Sequence, residues 1–323
     1  MQAILCRELA GPDALILADL PAPEPGACHV RLRVVAAGVN FADSLITQGR
    51  YQEKPSLPFV PGLEAAGRIE KIGAGVQGFE PGQRVLALFD HGAFAEAAIA
   101  RADDVVPLPE TMDDATAAGF AIVYGTAYGA LAWRAGLLPG ETLLVHGAAS
   151  GVGLAAVECG KAMKARVIAT ARGEARLRVA AEHGADAVID GDHPELVAEI
   201  RRLAPSGVDV AFDPVGGTLF DAALRCMAWE GRIVTIGFAS GTVPQIPANH
   251  LLVKNVAVFG FYFGSYRRRD PARLRQGFET LFGWHAAGRI RPLVAHRLKL
   301  ADAALAIGLL TSRRATGKVV LTT

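Results

Sequence analysis

The stretch TLLVHGAASGVGLAAVECGKAM, residues 142–163, decides the fold class of this chain. It reads as a short apolar strand, a glycine-rich turn and a helix that follows at once. Such a turn aims free backbone N–H groups and the positive end of the helix at a negatively charged group. The stretch therefore predicts a phosphate-binding loop at the start of a nucleotide-binding sheet.

The turn departs from the GxGxxG pattern at two of its three glycines. Ala148 and Ser150 stand at the first two places, and Gly153 keeps the third. Small side chains still allow a pyrophosphate to approach, and Gly153 lets the helix pack closely on the strand. An ordinary strand-to-helix turn is the alternative. We predict that a dinucleotide is bound by Ala148, Ser150, Gly151, Val152 and Gly153.

Five further apolar runs follow this turn and alternate with helix-patterned stretches. A strand that is apolar at every position is typical of a parallel sheet covered on both faces. With residues 142–146, the runs are RVIAT (166–170), AVID (187–190), VDVAFD (208–213), RIVTIG (232–237) and VAVFGF (256–261). We therefore predict an α/β fold with a six-stranded, doubly wound parallel (Rossmann) sheet in a dinucleotide-binding domain over residues 123–264.

Residues 1–122 follow a different rhythm, in which short strands are broken by proline and glycine. The strand-like segments are 32–39, 65–73 and 82–88. No long amphipathic helix intervenes, which predicts a mainly antiparallel, barrel-like domain. The tail, residues 265–323, ends in a strand-like KVVLT and is predicted to return to this first domain.

Composition excludes several function classes. The 33 Lys and Arg residues balance the 32 Asp and Glu residues, so nothing attracts the whole chain to nucleic acid or to an acidic membrane. The four cysteines show no CxxC spacing, which argues against a structural zinc site and predicts free thiols. Arg7 and Glu8 interrupt the first apolar stretch, so no signal peptide is expected and a cytoplasmic location is predicted. The uncharged segment 115–133 is mostly Ala, Gly and Thr, which favours a buried helix over a membrane span.

The end of the second strand of the sheet bears on the choice of dinucleotide. An NAD-binding sheet places an Asp or Glu there to accept from the ribose 2′-hydroxyl. Here Arg172 follows the strand, with Arg176 one turn later, and both could meet a 2′-phosphate. NADPH is therefore favoured over NADH. Glu174 argues in the other direction, and two solvated helix arginines are the alternative reading.

Eight segments, distributed over nearly the whole chain, together carry a resemblance to one protein family. They are AAGVNFAD (36–43), LPFVPGLEAAG (57–67), VYGTAYGAL (123–131), VHGAASGVG (145–153), FDPVGG (212–217), WEGRIVTIGFASG (229–241), KNVAVFGFYFG (254–264) and ATGKVVL (315–321). Together they resemble the quinone oxidoreductase, or zeta-crystallin-like, branch of the medium-chain dehydrogenase/reductases, and most closely its type 2 group. The resemblance implies a GroES-like substrate domain and NADPH:quinone oxidoreductase activity.

Zinc-dependent members of that superfamily carry a Cys in the first of these segments and a His in the second. The corresponding places here resemble Asn40 and Leu63, which supply neither thiolate nor imidazole. The resemblance therefore implies an enzyme without zinc. Because no Lewis acid would polarise the acceptor, the acceptor must be electrophilic by itself, as quinones and α,β-unsaturated carbonyls are.

The same resemblance implies two catalytic candidates and two further cofactor contacts. Asn40 and Tyr51 offer hydrogen-bond donors for the product oxygen, although Asn40 could instead cap the next helix and Tyr51 could only pack. Thr126 resembles a residue near the nicotinamide amide, and Lys318 one near the cofactor. Open sheets bind ligands at the carboxyl ends of their strands, which adds a predicted nicotinamide wall. Its members are Gly237, Phe238, Phe261, Tyr262 and Phe263.

The leading prediction is an NADPH-dependent reductase of quinones or similar activated carbonyls. One alternative keeps the same residues and reduces a 2-enal, a 2-enone or an enoyl thioester. Another is a protein that binds NADPH without turnover. The apolar strand at residues 256–261 would leave an open sheet edge, which predicts a homodimer.

Overall fold

All 323 residues are described by the computed structural model, which divides the chain into two units. The first comprises Met1–Ile122 and Pro292–Thr323, and the second comprises Val123–Arg291.

The first unit is built mainly from antiparallel strands. They are β1 (Gln2–Leu5), β2 (Ile16–Asp19), β3 (His29–Val39), β4 (Glu64–Ile72), β5 (Arg84–Leu88), β6 (Ala97–Arg101), β7 (Val105–Pro107), β14 (Val294–Lys299) and β15 (Lys318–Thr322). The large sheet has the order β14-β15-β3-β4-β5-β7, with β6 also paired to β3, and only the β14–β15 pair is parallel. This is the mainly antiparallel domain that the proline-broken strands predict.

Three α-helices complete the first unit: α1 (Phe41–Ile46), α2 (Asp114–Ala118) and α11 (Ala303–Thr311). Helix α11 turns Ala303, Ala306 and Ile307 into the core of the sheet, where none of the three is exposed. Val319 and Leu321 of β15, a strand that α11 contacts, belong to the same buried cluster, as do Val30 and Leu32 of β3. Removal of this apolar surface from water is the main force that holds the tail segment on the sheet.

The second unit contains one parallel sheet with helices between its strands. The strands are β8 (Thr142–Val145), β9 (Arg166–Ala171), β10 (Ala187–Asp190), β11 (Val208–Asp213), β12 (Met227–Thr235) and β13 (Ala257–Gly260). Their order is β10-β9-β8-β11-β12-β13, and every neighbouring pair is parallel. The doubly wound six-stranded sheet is therefore confirmed, and each predicted apolar run corresponds to one strand.

The helices of the second unit are α3 (Ala121–Tyr128, which begins in the first unit), α4 (Gly151–Ala162), α5 (Glu174–Glu182), α6 (Leu196–Leu203), α7 (Gly217–Cys226), α8 (Ala248–Lys254), α9 (Tyr266–Arg269) and α10 (Pro271–Ala286). The uncharged segment 115–133 is divided among α2, α3 and a π-helical segment, Gly129–Ala135. No helix in the chain has both the length and the apolar character needed to cross a bilayer.

Residues 265–291 differ from the sequence prediction, which assigned them to the first domain. They belong to the second unit because α10 packs on the end of α3. The rings of Tyr128 and Trp284 meet edge to face with centroids 5.5 Å apart. A Cβ atom on Gly277 would come within 2.9 Å of Trp133, so the absence of a side chain permits this close contact. The return to the first unit begins at Pro292.

Candidate functional site

The glycine-rich turn joins β8 to α4 in the second unit. Gly147 has a φ of +60°, a left-handed conformation that glycine adopts without strain. Ser150 caps α4, since its Oγ accepts the Gly153 N–H at 3.2 Å. The first-turn N–H groups of Gly151 and Val152 have no acceptor within the helix. The turn therefore offers backbone donors and a positive helix end together, as an anion requires.

Gly153 allows α4 to lie directly against the turn. A Cβ atom at this position would stand 2.2 Å from the Gly147 carbonyl oxygen and 2.8 Å from the Ala148 Cα. Both are backbone atoms, so no side-chain movement could relieve the overlap. This is the close packing that the third glycine of the pattern predicts.

Strand β9 holds the turn from one side through Thr170. Its carbonyl oxygen accepts the Ala148 N–H at 2.9 Å, and its Oγ1 lies 2.8 Å from Nδ1 of His146. His146 and Thr170 are completely buried, and burial lowers the pKa of His146. The imidazole is therefore neutral and serves to position the turn. Sequence reasoning missed this pair, because a histidine at the end of a buried strand has no motif.

Glu158, a residue of α4, anchors this helix to neighbouring segments of the second unit. Sequence reasoning also missed this residue. Its carboxylate accepts the Tyr124 hydroxyl at 2.6 Å and the Arg291 N–H at 2.9 Å, and lies 2.5 Å from His183 Nδ1. Glu158 is 2% exposed. Because hydrogen-bond partners surround this buried carboxylate, it fixes the helix that carries the turn.

The predicted nicotinamide wall divides into two groups. Phe238 and Tyr262 are exposed at 41% and 37%, so their surfaces are available to a ligand. Phe261 is buried beside Trp133 and Tyr266, with ring centroids 6.3 and 5.4 Å away. Its ring therefore packs within the unit, in contrast to the wall that its position at a strand end predicts.

Phe263 behaves in the same way, because its ring fills the space that Gly125 leaves on α3. A Cβ on Gly125 would meet Phe263 Cζ at 2.4 Å. Thr126, the next residue of that helix, is 7% exposed. Gly237 follows β12 and is half-buried.

The end of β9 presents Arg172 to solvent, while Arg176 is half-buried in the first turns of α5. Arg172 is not alone there, since its Nε donates to Asp192 Oδ1 at 2.9 Å. Sequence reasoning found no carboxylate at this point because Asp192 comes from the segment after β10.

The first unit contains a buried polar cluster made of Asn40, Glu64 and Lys318. The Lys318 ammonium donates to Glu64 Oε1 at 2.8 Å, to Asn40 Oδ1 at 2.8 Å and to the Val39 carbonyl at 2.9 Å. Lys318 and Glu64 are 5% and 1% exposed. All three ammonium protons are used, so in this structure Lys318 has none left for a cofactor, in contrast to its predicted contact.

Adjacent strands bring the polar cluster together. Strand β3 pairs with β15 on one side and with β4 on the other, and Gly38 faces Glu64. A Cβ on Gly38 would come within 2.4 Å of Glu64 Oε1 and 2.1 Å of the Ala118 carbonyl. The Glu64 carboxylate reaches Lys318 across the sheet because Gly38 has no side chain.

Asn40 has the helix-capping role that was the alternative to catalysis. It is the N-cap of α1, and its backbone N–H donates to Asp43 Oδ2 at 2.7 Å. Its side-chain Nδ2 donates to Glu64 Oε1 at 2.9 Å and to the Gly38 carbonyl at 3.3 Å. Both amide protons are therefore engaged, and the predicted donation to a product oxygen has no free N–H in this arrangement.

Tyr51 is half-buried against an apolar cluster of the same unit. The cluster contains Cys6, Ile46, Phe59 and Leu63. Packing on this cluster holds the ring of Tyr51, and its predicted role as a donor stays a prediction.

The positions of the zinc ligands in related enzymes do not fit a zinc ion here. The amide of Asn40 belongs to the polar cluster, and Leu63 is a buried apolar residue. No group of three or more His, Cys, Asp or Glu residues in the chain is arranged to hold a metal ion. Carboxamide and alkyl groups do not replace the thiolate and imidazole that zinc requires.

Asp43 lies beside the polar cluster and is completely buried. Burial raises the pKa of Asp43 to about 7, although the Asn40 N–H and the Lys318 ammonium act in the opposite direction. Oδ1 of Asp43 has no hydrogen-bond partner. The Asp43 carboxyl group therefore titrates near neutral pH, and the nearby negative charge of Glu64 contributes to its raised pKa.

We expect Asp43→Asn to become more stable relative to the wild type as the pH rises. The folded-state pKa of about 7 exceeds the unfolded value of about 3.9, so the contribution of protonated Asp43 is complete below about pH 4. This contribution is lost as the pH rises to about 7. The variant shows no such loss, because an asparagine side chain cannot ionise. Urea unfolding of both proteins from pH 4 to pH 8 measures the difference, and a difference independent of pH would contradict the prediction.

Comparison with known proteins places both units in described families. Residues 26–110 match the alcohol dehydrogenase GroES-like domain, and residues 151–281 match the zinc-binding dehydrogenase family. The GroES-like fold predicted for the first domain is thereby confirmed.

Individual relatives match over the full chain. The quinone oxidoreductase-like protein 2 homolog of Nematostella vectensis is 38% identical over 327 residues, which cover 100% of this chain and 89% of that protein. The quinone oxidoreductase of Lama guanicoe is 34% identical, with 99% and 97% covered. A solved structure of the Escherichia coli quinone oxidoreductase complexed with NADPH matches with a TM-score of 0.93 at 29% identity, and all of both chains is covered.

Proposed function

The chain belongs to the quinone oxidoreductase-like family of the medium-chain dehydrogenase/reductases, and on that basis we propose that it is an NADPH-dependent, zinc-independent reductase of quinones or similarly activated carbonyls. The observation that carries the proposal is the turn at residues 147–153, which presents backbone donors at the start of α4. The NADPH complex of the Escherichia coli relative supports the same dinucleotide for this chain.

The residues of the second unit fit such a dinucleotide. The N–H groups of Gly151 and Val152 would hold the pyrophosphate, and the guanidinium groups of Arg172 and Arg176 would face a 2′-phosphate. The exposed Phe238 and Tyr262 would bound the nicotinamide. When bound, NADPH supplies a hydride for transfer to the acceptor.

The first unit supports the class of acceptor. Its residues at positions 40 and 63 supply neither thiolate nor imidazole for a zinc ion that could polarise a simple alcohol or ketone. A quinone spreads developing negative charge over its own conjugated system and needs only hydrogen-bond donors. We assign Tyr51 as the candidate donor, since the amide of Asn40 is engaged by Gly38 and Glu64.

A substrate screen with metal analysis tests this proposal. Steady oxidation of NADPH by quinones, with little oxidation by enones and no zinc in the protein, is the expected result. If NADPH is oxidised by enones and not by quinones, the acceptor is an α,β-unsaturated carbonyl. If the protein binds NADPH and no acceptor oxidises it, the chain is a nucleotide-binding protein without turnover. Stoichiometric zinc whose removal abolishes turnover would overturn the zinc-independent mechanism.

Tyr51→Phe measures the contribution of the phenol. The substitution keeps the packing of the ring and removes only the hydroxyl, so binding of NADPH should be unchanged.

We propose a homodimer as the working assembly, because β13 lies at the edge of the parallel sheet and leaves one side of its backbone unpaired.

The homodimer proposal makes a specific prediction about α8, the helix that precedes β13. Leu252 and Val253 are 77% and 78% exposed, as expected for residues that another copy covers. The double substitution Leu252→Asp and Val253→Asp should reduce the mass in solution from twice the chain mass of 33.9 kDa to that of one chain. Light scattering measures this mass. Leu305→Asp on α11, where Leu305 is 52% exposed, is the control and should leave the mass unchanged.

A further inference from the structure

The ends of β9 and β10 are tied together at the edge of the proposed dinucleotide site. The Gly191 N–H donates to the Ala171 carbonyl at 2.9 Å. The Gly173 N–H donates to Asp190 Oδ2 at 3.2 Å, and Arg172 Nε donates to Asp192 Oδ1 at 2.9 Å. The last residue of β10, Asp190, and the segment that follows it therefore place two carboxylates beside the two residues that follow β9.

Asp190 is held in its ionised form. The pKa of its carboxyl group lies below the ordinary value, chiefly because the Asp192 N–H donates to it, with further help from the Gly173 N–H and the Arg172 charge. Asp192 forms an ion pair whose two side chains, its own and that of Arg172, are 61% and 50% exposed. Both negative charges therefore lie near the guanidinium proposed to bind a 2′-phosphate.

We propose that Asp192 limits the preference for NADPH over NADH by competing with the 2′-phosphate for Arg172. The inference rests on the proposed function, because it concerns the same dinucleotide site. A 2′-phosphate must displace Asp192 from Arg172 and approach the charge of Asp190. A ribose 2′-hydroxyl has no such cost and can donate to a carboxylate.

The exposure of the pair makes this competition reversible. Ion pairs between exposed side chains contribute little free energy, so Arg172 can leave Asp192 when a stronger anion is present. Guanidinium binds phosphate through two parallel hydrogen bonds, which favours the exchange. The chain should therefore prefer NADPH by a smaller factor than Arg172 and Arg176 alone would produce.

Titration of protein fluorescence with NADPH and with NADH tests the inference through the ratio of the two dissociation constants. We expect Asp192→Asn to raise the preference for NADPH about fivefold at low ionic strength. Arg172→Ala should lower it about tenfold. In the Arg172→Ala background, Asp192→Asn should change the ratio by less than about twofold, because Asp192 acts through Arg172.

Glu199→Gln is the matched control. Glu199 pairs with Arg202 at 2.8 Å on α6, where no dinucleotide contact is proposed, so the ratio should not change. An unchanged ratio in Asp192→Asn, or an undiminished effect when Arg172 is absent, would overturn the inference. If wild-type protein binds neither nucleotide, the proposed function fails. If it binds both and the ratio is insensitive to Asp192, only this inference fails. Competition by 2′,5′-ADP should strengthen in Asp192→Asn, which separates the phosphate contact from the rest of the cofactor.

Discussion

Lys318→Met is expected to lower the free energy of unfolding by about 3–5 kcal/mol. The ammonium of Lys318 lies 2.8 Å from Glu64, and the two side chains are 7% and 1% exposed. Removal of one partner from a buried pair leaves the other charge without compensation. Asn40 would still donate to Glu64, but its amide carries no charge. Urea unfolding at pH 7, with the midpoint and the m-value both fitted, measures the effect.

A surface pair of the same chemistry is the control for this prediction. Lys71 and Glu24 lie 2.7 Å apart, with side chains 48% and 66% exposed. Lys71→Met should cost much less than Lys318→Met, because solvent already screens both charges. Equal losses in Lys71→Met and Lys318→Met would contradict the buried role of Lys318.

A double variant distinguishes an unpaired charge from lost packing. Glu64→Gln removes the negative charge and keeps an oxygen that can accept the Ile122 N–H, which Glu64 Oε2 now accepts at 2.8 Å. Lys318→Met combined with Glu64→Gln should therefore be more stable than Lys318→Met alone. If the double variant is the less stable of the two, loss of packing rather than an uncompensated charge accounts for the effect.

The parallel sheet was predictable because each of its strands is apolar along most of its length. Burial on both faces requires such strands, and no polar alternation obscures them. The start of β12 was the exception, since the pattern indicates a strand only from residue 232 and the structure begins it at Met227. Trp229 is exposed and Glu230 has a φ of +58°, so this part of the strand is irregular and carries no clear apolar run.

The polar cluster of the first unit could not be predicted from local sequence. Lys318 is separated by 254 residues from Glu64 and by 278 from Asn40. Only the strand order, with β3 between β15 and β4, brings them together. Asn40 and Lys318 were predicted as contacts for a ligand and Glu64 was not predicted at all, yet the three side chains satisfy one another.

The carboxylates beside Arg172 were missed for a related reason. The sequence pattern predicts the choice between NADPH and NADH from the residues that directly follow β9. The first two of these, Arg172 and Gly173, are not acidic. Asp190 and Asp192 belong to the neighbouring strand and its following segment, and the parallel β9–β10 pairing delivers them to the same edge. The proposed selectivity thus involves two strand ends, and a sequence pattern describes only one of them.

Gly153→Ala is expected to weaken binding of NADPH by about tenfold or more and to destabilise the second unit by about 1–3 kcal/mol. The added Cβ would stand 2.2 Å from the Gly147 carbonyl oxygen, so α4 or the turn must move. Either movement would displace the N–H groups of Gly151 and Val152, which are proposed to hold the pyrophosphate. Fluorescence titration with NADPH measures the affinity, and urea unfolding measures the stability.

The same substitution at Gly283 is the control, since it also adds one methyl group to a helix of the second unit. A Cβ on Gly283 meets no atom within 4 Å, and the residue lies in the interior of α10. Gly283→Ala should therefore raise stability by about 0.5–1 kcal/mol and leave the affinity for NADPH unchanged. If Gly153→Ala binds NADPH as tightly as Gly283→Ala, the turn at residues 147–153 does not hold the pyrophosphate. The affinity must be compared below the unfolding transition of both variants, so that a loss of binding reports the geometry of the turn and not the fraction of folded protein.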